Sequence, residues 1–374
     1  MHAVTLGMTL PTTVTGSWPR PTWFRQNLAG RSLSAGLNDL EYREQFLDAI
    51  QVVVGDQERA GLDILSNGDY HQDADFAGRS WMMYPLERLA GVARDELEAA
   101  VGPAKYEAGT ILAEIFGDWR YPPVTGALGA GTPLDYARAW QVTQDRATRP
   151  VKMGVVSAQA LASVMTLRTD HYADHRALLW ELSGLLNAEL RRLADAGCRI
   201  IQIEEPQIHS SAIEGRDRDY LNFLVDCLNR EVAGLEDVEV WAHTCWGNPA
   251  MQGTRTLTDY GPSLELFMER ANVDVWTIES KYSGHAPLRL FERYKSGFPD
   301  KKIAVGMVSH RTVQVESTAE IADDIRRALE YIPADHLILS SDCGFGRQGV
   351  DRLIAYHKAA ALSRAAAKVR EELD

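Results

Sequence analysis

A histidine and a cysteine follow an apolar segment about two thirds of the way along the chain. Residues 238–242 have the composition of a β-strand, and His243 and Cys245 come directly after them. Alternate residues of a strand point to the same face, so we expect the imidazole and the thiol to face the same way. Later apolar segments end in Glu279 and Cys343. Because proteins bind Zn2+ through imidazole, thiolate and carboxylate groups, these four residues predict a zinc site.

The composition of this ligand set indicates what the metal would do. We expect His243, Cys245 and Cys343 to be fixed ligands, and Glu279 to be a fourth ligand that a substrate displaces. Two thiolates and a neutral imidazole leave the Zn2+ site almost neutral, so a thiol can bind as a zinc-bound thiolate without strong repulsion. Such a thiol loses its proton near neutral pH and stays nucleophilic. We therefore expect alkylation of a small thiol substrate by a small alkyl donor.

Two other functions stay open for the same residues. A zinc hydrolase is less favoured, because two thiolates make zinc a weaker activator of water. A noncatalytic protein would bind metal and ligand without turnover. A closed structural zinc site is disfavoured as well, because such sites usually draw their cysteines from short local motifs.

Short apolar segments alternate with helical ones along the chain, which predicts an α/β fold of the (β/α)8 TIM-barrel type. No glycine-rich phosphate-binding motif follows any of these segments, which disfavours an open nucleotide-binding sheet. We predict strands at 12–16, 62–66, 151–156, 199–203, 238–242, 273–278, 302–307 and 337–340. We predict helices at 41–60, 172–196, 217–231, 263–271, 317–331 and 349–372.

A long segment separates the second and third predicted strands. We expect a single barrel domain over residues 1–374, with residues 70–150 inserted as a cap or an assembly element. The inserted segment also makes a homo-oligomer possible.

Polar residues follow nearly every predicted strand. The carboxyl ends of barrel strands meet at one mouth, where active sites lie. His310 follows the seventh strand and is a candidate proton donor. The other residues at these ends include Gly16, Ser17, Asp69, Glu204, His243, Cys245, Glu279, Asp342 and Cys343.

The composition argues for a small-molecule partner. The chain has a formal net charge of −13, which disfavours binding to nucleic acid or to an anionic membrane. Neither a signal peptide nor a long apolar span is evident, so we expect a cytoplasmic protein. With four cysteines, metal binding and buried thiols are more plausible than disulfides.

Several motifs resemble one known family. They are Thr15-Gly-Ser-Trp-Pro-Arg20, the segments 61–69 and 196–206, His243-Thr-Cys245, the segment 274–279 and Ser341-Asp-Cys-Gly344. In this order they resemble the catalytic, C-terminal barrel of cobalamin-independent methionine synthase and its short single-barrel relatives. That group also includes the epoxyalkane:coenzyme M transferases.

The resemblance implies roles for the residues at the zinc site. His243, Cys245, Glu279 and Cys343 correspond to the zinc ligands of the family. His310 lies near its proton-donating histidine. The implied reaction is methyl transfer to homocysteine or a related thiol.

The resemblance also implies a substrate pocket. Gly16 and Ser17 would hold the carboxylate of the thiol substrate, and Asp69 and Glu204 its amino group. The methionine synthases carry glutamate at the position of Asp69 and aspartate at that of Glu204. The folate-binding segment, 152–158 here, also departs from the family pattern.

The alternative within this family is addition of coenzyme M to an epoxide. Coenzyme M carries a sulfonate and no amine, so Arg20 or Arg347 would then bind the substrate. The sequence leaves the acceptor and the alkyl donor open.

Overall fold

The computed structural model describes residues 4–99, 106–247, 249–255, 258–346 and 349–373. Arg347 lies outside the described residues. Within these ranges, seven parallel strands form one sheet and are hydrogen-bonded in chain order. The strands are β1 (Leu65–Ser66), β2 (Val151–Val156), β3 (Ile200–Glu204), β4 (Glu239–Thr244), β5 (Val275–Ile278), β6 (Lys302–Val308) and β7 (Leu337–Ser341).

The segment 12–18 lies between the two edges of this sheet. Thr12 forms a parallel bridge with Leu339 of β7, and Ser17 forms one with Gly68, which follows β1. The sheet therefore curls until both edges flank the same segment. The predicted continuous strand at 12–16 is nevertheless absent among the described residues.

Side chains explain why the 12–18 segment is not a regular strand. The backbone N–H of Thr15 donates to Ser341 Oγ at 2.9 Å, and that of Thr12 donates to Asp63 Oδ2 at 2.8 Å. Thr15 Oγ1 in turn donates to the Ser341 carbonyl at 2.6 Å. Backbone groups that would form a sheet ladder are thus bonded to side chains.

Helices follow most of the strands. The leucine spacing that predicted a helix at 172–196 is confirmed, because His175–Asp195 is helical and buries Leu178, Leu182 and Leu186. No described helix is long and apolar enough to cross a membrane. The α-helices are Leu33–Gly36, Leu40–Ala60, Ser80–Leu86, Ile111–Asp118, Tyr136–Gln144, Ala158–Ala162, His175–Asp195, Gln207–Ile213, Arg218–Glu231, Thr318–Leu329 and Arg352–Leu373.

The helix predicted at 263–271 is present, but most of it is not α-helical. The structure has a 3-10 turn at Gly261–Ser263, with Pro262 in its first positions, and a π-helix at Leu266–Arg270. The Ala271 N–H donates to the Leu266 carbonyl, which closes the wider π turn. Further 3-10 helices are Phe76–Gly78, Pro249–Met251, Lys281–Ser283 and Ala286–Tyr294.

Several short elements occupy the segment between β1 and β2. Leu89–Val92 pairs antiparallel with Val124–Ala130, and Glu98–Ala99 pairs with Arg120–Tyr121. The cap or assembly role of residues 70–150 stays a prediction.

A small apolar layer fills the space inside the curled sheet. Its members are at most 1% exposed and come from neighbouring strand positions: Ile64, Ile200, Trp241, Val275, Ala304 and Ile338. Inward-facing residues recur at every second position of a strand. The inward-facing positions that follow the apolar layer toward the carboxyl ends of the strands are therefore polar. They are Gln202, Glu204, His243, Cys245, Thr277, Glu279, Ser340 and Asp342.

This apolar layer supports the polar residues above it. We predict that Ile338→Ala lowers the free energy of unfolding by about 2–5 kcal/mol, because a fully buried isoleucine leaves a cavity. Urea denaturation of the two proteins measures the change. The same substitution at Ile111, which is 45% exposed, is the matched control and should change stability by less than about 0.5 kcal/mol. Equal effects at the two positions would contradict the role of the layer.

Candidate metal centre

Two strand ends bring together three of the predicted zinc ligands. His243 lies in β4, Cys245 follows it directly, and Cys343 comes two residues after the end of β7. One ligand atom from each residue lies within 4.8 Å of the other two. These residues are therefore close enough to share one metal ion.

The polar atoms of these side chains fit a metal. His243 is 1% exposed, and neither of its ring nitrogens has a hydrogen-bond partner among the described residues. A buried imidazole without partners is costly, so its environment calls for an additional group. Cys245 and Cys343 are free thiols. A nitrogen and two sulfur atoms form a donor set that Zn2+ accepts.

The two thiols differ in acidity. Hydrogen bonding from Cys245, with His243 as a further cause, lowers the pKa of Cys343 well below its usual range. The same hydrogen bond, together with burial, raises the pKa of Cys245. One sulfur is therefore already favoured as a thiolate, which is the form that binds a metal.

Glu279 lies beside this group and has protein partners of its own. Its Oε1 is 2.9 Å from the Arg311 guanidinium, and its Oε2 accepts the Trp246 N–H at 3.2 Å. Burial, with Asp342 nearby, raises the pKa of Glu279 to about 8. Its carboxylate forms a second close group with His310 and Asp342.

His310 follows β6 and is fully buried. Neither of its ring nitrogens has a hydrogen-bond partner among the described residues. Burial lowers the pKa of His310 to about 4, so the ring is neutral at neutral pH. Its loop is held by Glu316, which accepts the Ser309 N–H and the Lys358 ammonium, each at 2.8 Å.

Asp342 fixes the backbone that follows Glu279. Its two oxygens accept the backbone N–H groups of residues 280–282 at 2.7–2.8 Å. A Cβ atom placed on Gly306 would lie 2.0 Å from Asp342 Oδ1, so only glycine leaves room for this carboxylate. Asp342 therefore positions a neighbouring loop, a role that its place beside Cys343 in the sequence does not reveal.

The carboxylates of Asp69 and Glu204 converge next to the three ligands. A Cβ atom built on Gly16 would lie 3.8 Å from an oxygen of each carboxylate, and one on Gly154 would lie 3.6 and 3.9 Å from them. Glu204 Oε2 is also 3.8 Å from His243 Nε2. The acids predicted to hold an amino group thus lie together at the candidate metal centre.

Gly16 and Ser17 lie at the same end of the sheet. Ser17 Oγ accepts the Gly346 N–H at 3.1 Å, and the Gly16 carbonyl accepts Ser66 Oγ at 2.6 Å. Ser17 and Asp69 line a cavity of about 350 Å3.

Arg20 also lines this cavity, but its guanidinium is engaged by the protein. It donates to the carbonyls of Tyr70 at 3.2 Å and Gln72 at 2.9 Å, and its charge lies 3.9 Å from the centre of the Phe24 ring. Arg20 thus holds the turn that follows Asp69. Direct contact between Arg20 and substrate stays a prediction.

The sequence did not identify three charged or polar residues near the site. Lys152 and Gln202 lie inside the sheet, and Arg311 pairs with Glu279. A lysine inside the apolar strand 151–156 was the one available signal, because lysine is rarely fully buried without a partner. Arg311 follows His310 directly but belongs to no motif.

Comparison with known proteins assigns the chain to a family. The profile of the cobalamin-independent synthase catalytic domain matches residues 10–368. A methionine synthase from Saccharolobus solfataricus is 28% identical over 365 residues, which cover 97% of this chain and 96% of the relative. A methionine synthase from Sulfolobus acidocaldarius is 27% identical over 372 residues, which cover 97% of this chain and 93% of the relative.

A solved structure agrees with the sequence comparison. The B12-independent methionine synthase from a Shewanella species, in complex with selenomethionine, superposes with a TM-score of 0.75 and 26% identity over 98% of this chain and 99% of that one. Because the family profile and these relatives span almost the whole chain, this protein belongs to the family of cobalamin-independent synthase catalytic domains.

Proposed function

We propose that this protein is a zinc-dependent transferase that binds a small thiol as its thiolate and methylates it, with homocysteine or a related thiol as the acceptor. One observation carries the proposal: three zinc-type ligands meet within 4.8 Å, and the Glu204 carboxylate lies 3.8 Å from one of them. The matched relatives are named methionine synthases, which supports the same reaction class.

His243, Cys245 and Cys343 are the residues that would hold the metal. Bound Zn2+ supplies the positive charge that lowers the pKa of a thiol toward neutrality. Glu279 is the proposed exchangeable ligand. Arg311 and the Trp246 N–H are alternative partners for its carboxyl group when a substrate displaces it.

The neighbouring acids favour a substrate with an amino group. Asp69 and Glu204 would bind the ammonium of homocysteine, and Gly16 and Ser17 would lie toward its carboxylate. Charge-assisted hydrogen bonds to an ammonium orient the substrate as well as binding it. His310, whose ring nitrogens have no hydrogen-bond partner among the described residues, is the proposed proton carrier to the departing donor. Because burial keeps its ring neutral in the free protein, this role requires that it become protonated in the substrate complex.

Addition of coenzyme M to an epoxide is less well supported. Two carboxylates beside the metal centre would repel a sulfonate, and the Arg20 guanidinium is already bonded to loop carbonyls. Hydrolysis by zinc-activated water is less well supported, because the matched relatives are named methionine synthases.

The same proposal includes the architecture. Residues 12–18, bridged to both sheet edges, would be the first strand of a closed eight-stranded barrel formed as one domain. Residues 70–150 would cap its mouth or support assembly.

Cys343→Ser tests the metal ligands. We expect the wild type to bind about one zinc ion per chain and the variant to lose most of this zinc, because a serine hydroxyl is a poor zinc ligand. The activity of the variant should fall by at least ~100-fold. Elemental analysis of purified protein measures zinc.

Cys198→Ser is the matched control for this loss. Cys198 is buried away from the site and donates to the Ile200 carbonyl, a bond that a hydroxyl can keep. The control should retain its zinc. Full activity of a zinc-free Cys343→Ser protein would contradict the proposed chemistry.

Glu204→Gln tests recognition of the amino group. The wild type should bind homocysteine more tightly than 4-mercaptobutanoate, which has the same thiol and carboxylate but no amine. The substitution should reduce this preference by ~10- to 100-fold, the typical effect of losing a charged hydrogen-bond partner. Calorimetric titration of the zinc-loaded protein with each thiol gives the two affinities.

Glu292→Gln is the control for charge removal. Glu292 is exposed and pairs with Lys295 on the surface, so the preference should remain. A wild type that binds the two thiols equally would overturn the proposed acceptor.

A further inference from the structure

A fully buried lysine lies below the proposed amine pocket. Lys152 belongs to β2, is 1% exposed, and donates from Nζ to Gln202 Oε1 at 2.7 Å. Its ammonium also lies 4.6 Å from the centre of the Trp241 ring. A buried ammonium is costly to maintain, so its position calls for a reason other than packing.

Gln202 links this lysine to the active-site acid. Its amide nitrogen donates to Glu204 Oε1 at 2.6 Å and to the Thr15 carbonyl at 2.8 Å. The amide oxygen accepts from Lys152. Lys152, Gln202 and Glu204 thus form a continuous chain of hydrogen bonds through the interior of the sheet.

Lys152 favours the same orientation of the Gln202 amide as the Thr15 carbonyl and the Glu204 carboxylate, which both accept from the amide nitrogen. A glutamine can exchange the positions of its oxygen and nitrogen by rotating its terminal bond. The opposite orientation would point the amide oxygen at the Glu204 carboxylate and the N–H groups at an ammonium, so both contacts would become repulsive. The lysine therefore favours the one orientation in which an N–H donor faces Glu204.

We propose that Lys152 is a positioning residue that, through Gln202, fixes the Glu204 carboxylate for recognition of a substrate ammonium. The inference rests on the proposed function and deepens it by adding a specificity device to the same site. Glu204 is held on one oxygen by Gln202 and has its other oxygen 3.8 Å from His243. The carboxylate is thereby oriented before substrate arrives.

Formal charge supports the same role. Burial lowers the pKa of Lys152 to about 7, and attraction to Glu204 and Asp69 acts in the opposite direction. An ammonium at Lys152 would leave the three groups with one formal negative charge, which a single substrate ammonium neutralises. Without an ammonium at Lys152 the two acids would lie close together with less positive charge nearby, and like charges at such a site favour protonation of one of them.

Calorimetric titration of zinc-loaded proteins measures their affinities for homocysteine and for 4-mercaptobutanoate. Lys152→Met removes the ammonium and keeps a similar shape. We expect its affinity for homocysteine to fall roughly 10-fold, while that for 4-mercaptobutanoate changes less than about 2-fold. Lys295→Met, at an exposed lysine, is the matched control and should change neither affinity.

A double variant tests whether the effect passes through Gln202. Once Gln202→Met is present, adding Lys152→Met should weaken homocysteine binding by less than about 2-fold. Equal weakening for both thiols, or fully additive effects of the two substitutions, would overturn the positioning role.

A further variant keeps the test decisive if Lys152→Met does not fold. Gln202→Glu keeps an acceptor for Lys152 but removes the N–H donor to Glu204, so it should lose the preference for homocysteine selectively. Retention of the preference in Gln202→Glu would overturn the inference. Lack of any preference in the wild type would overturn the proposed acceptor, and the inference with it. If the wild type prefers homocysteine and Lys152→Met keeps this preference, the positioning role of Lys152 is wrong and the proposed acceptor still stands.

Discussion

Parallel strand pairing is the constraint on which the candidate site depends. In the register of the sheet, Glu204 of β3 lies opposite His243 of β4, and Thr244 lies opposite Ile278, the residue before Glu279. Parallel pairing aligns the carboxyl ends of strands that are far apart in sequence. The same hydrogen bonds that hold the sheet together therefore bring the acid, the imidazole and the thiols to one place.

The alternation of side chains along each strand then places apolar and polar groups at different levels of the interior of the sheet. Ile200 and Trp241 belong to the apolar layer, Gln202 and His243 lie one step above them, and Glu204 lies at the strand end. Polar groups at these depths are costly unless they are bonded. Most are bonded, as the Lys152, Gln202 and Glu204 chain is, and the buried side chains of His243 and His310 are exceptions among the described residues.

These exceptions give the site its chemical character. A stable interior satisfies its polar atoms, and departures from that rule are expected where a ligand binds. Asp342 accepts a backbone N–H of the loop that follows Glu279, and Gly306 leaves the space that the Asp342 carboxylate needs. Glu279, the proposed exchangeable ligand, has a protein partner on each carboxylate oxygen.

Local sequence patterns predicted the regular elements well. Six of the predicted strands correspond closely to β2–β7, because apolar periodicity reports burial directly. The second strand was predicted too long, since only Leu65–Ser66 pairs regularly. The segment 12–18 and the π-helix at Leu266–Arg270 were not predictable in the same way, because side-chain bonds and local turn geometry determine them.

The candidate site was predictable in part. His243, Cys245 and Cys343 could be grouped because each ends an apolar segment. The sequence did not predict that Arg311 pairs with Glu279 or that Lys152 bonds to Gln202, because packing between distant segments determines such pairs. Residue type alone does not tell which buried charges meet.

Zinc-edge X-ray absorption of the purified protein would reveal the ligands of the proposed metal site. We expect a resting zinc shell with one imidazole nitrogen and two cysteine sulfurs, which gains a further sulfur neighbour when homocysteine is added and does not change with coenzyme M. Absence of zinc, or a shell that is indifferent to every thiol, would contradict thiol activation at this site.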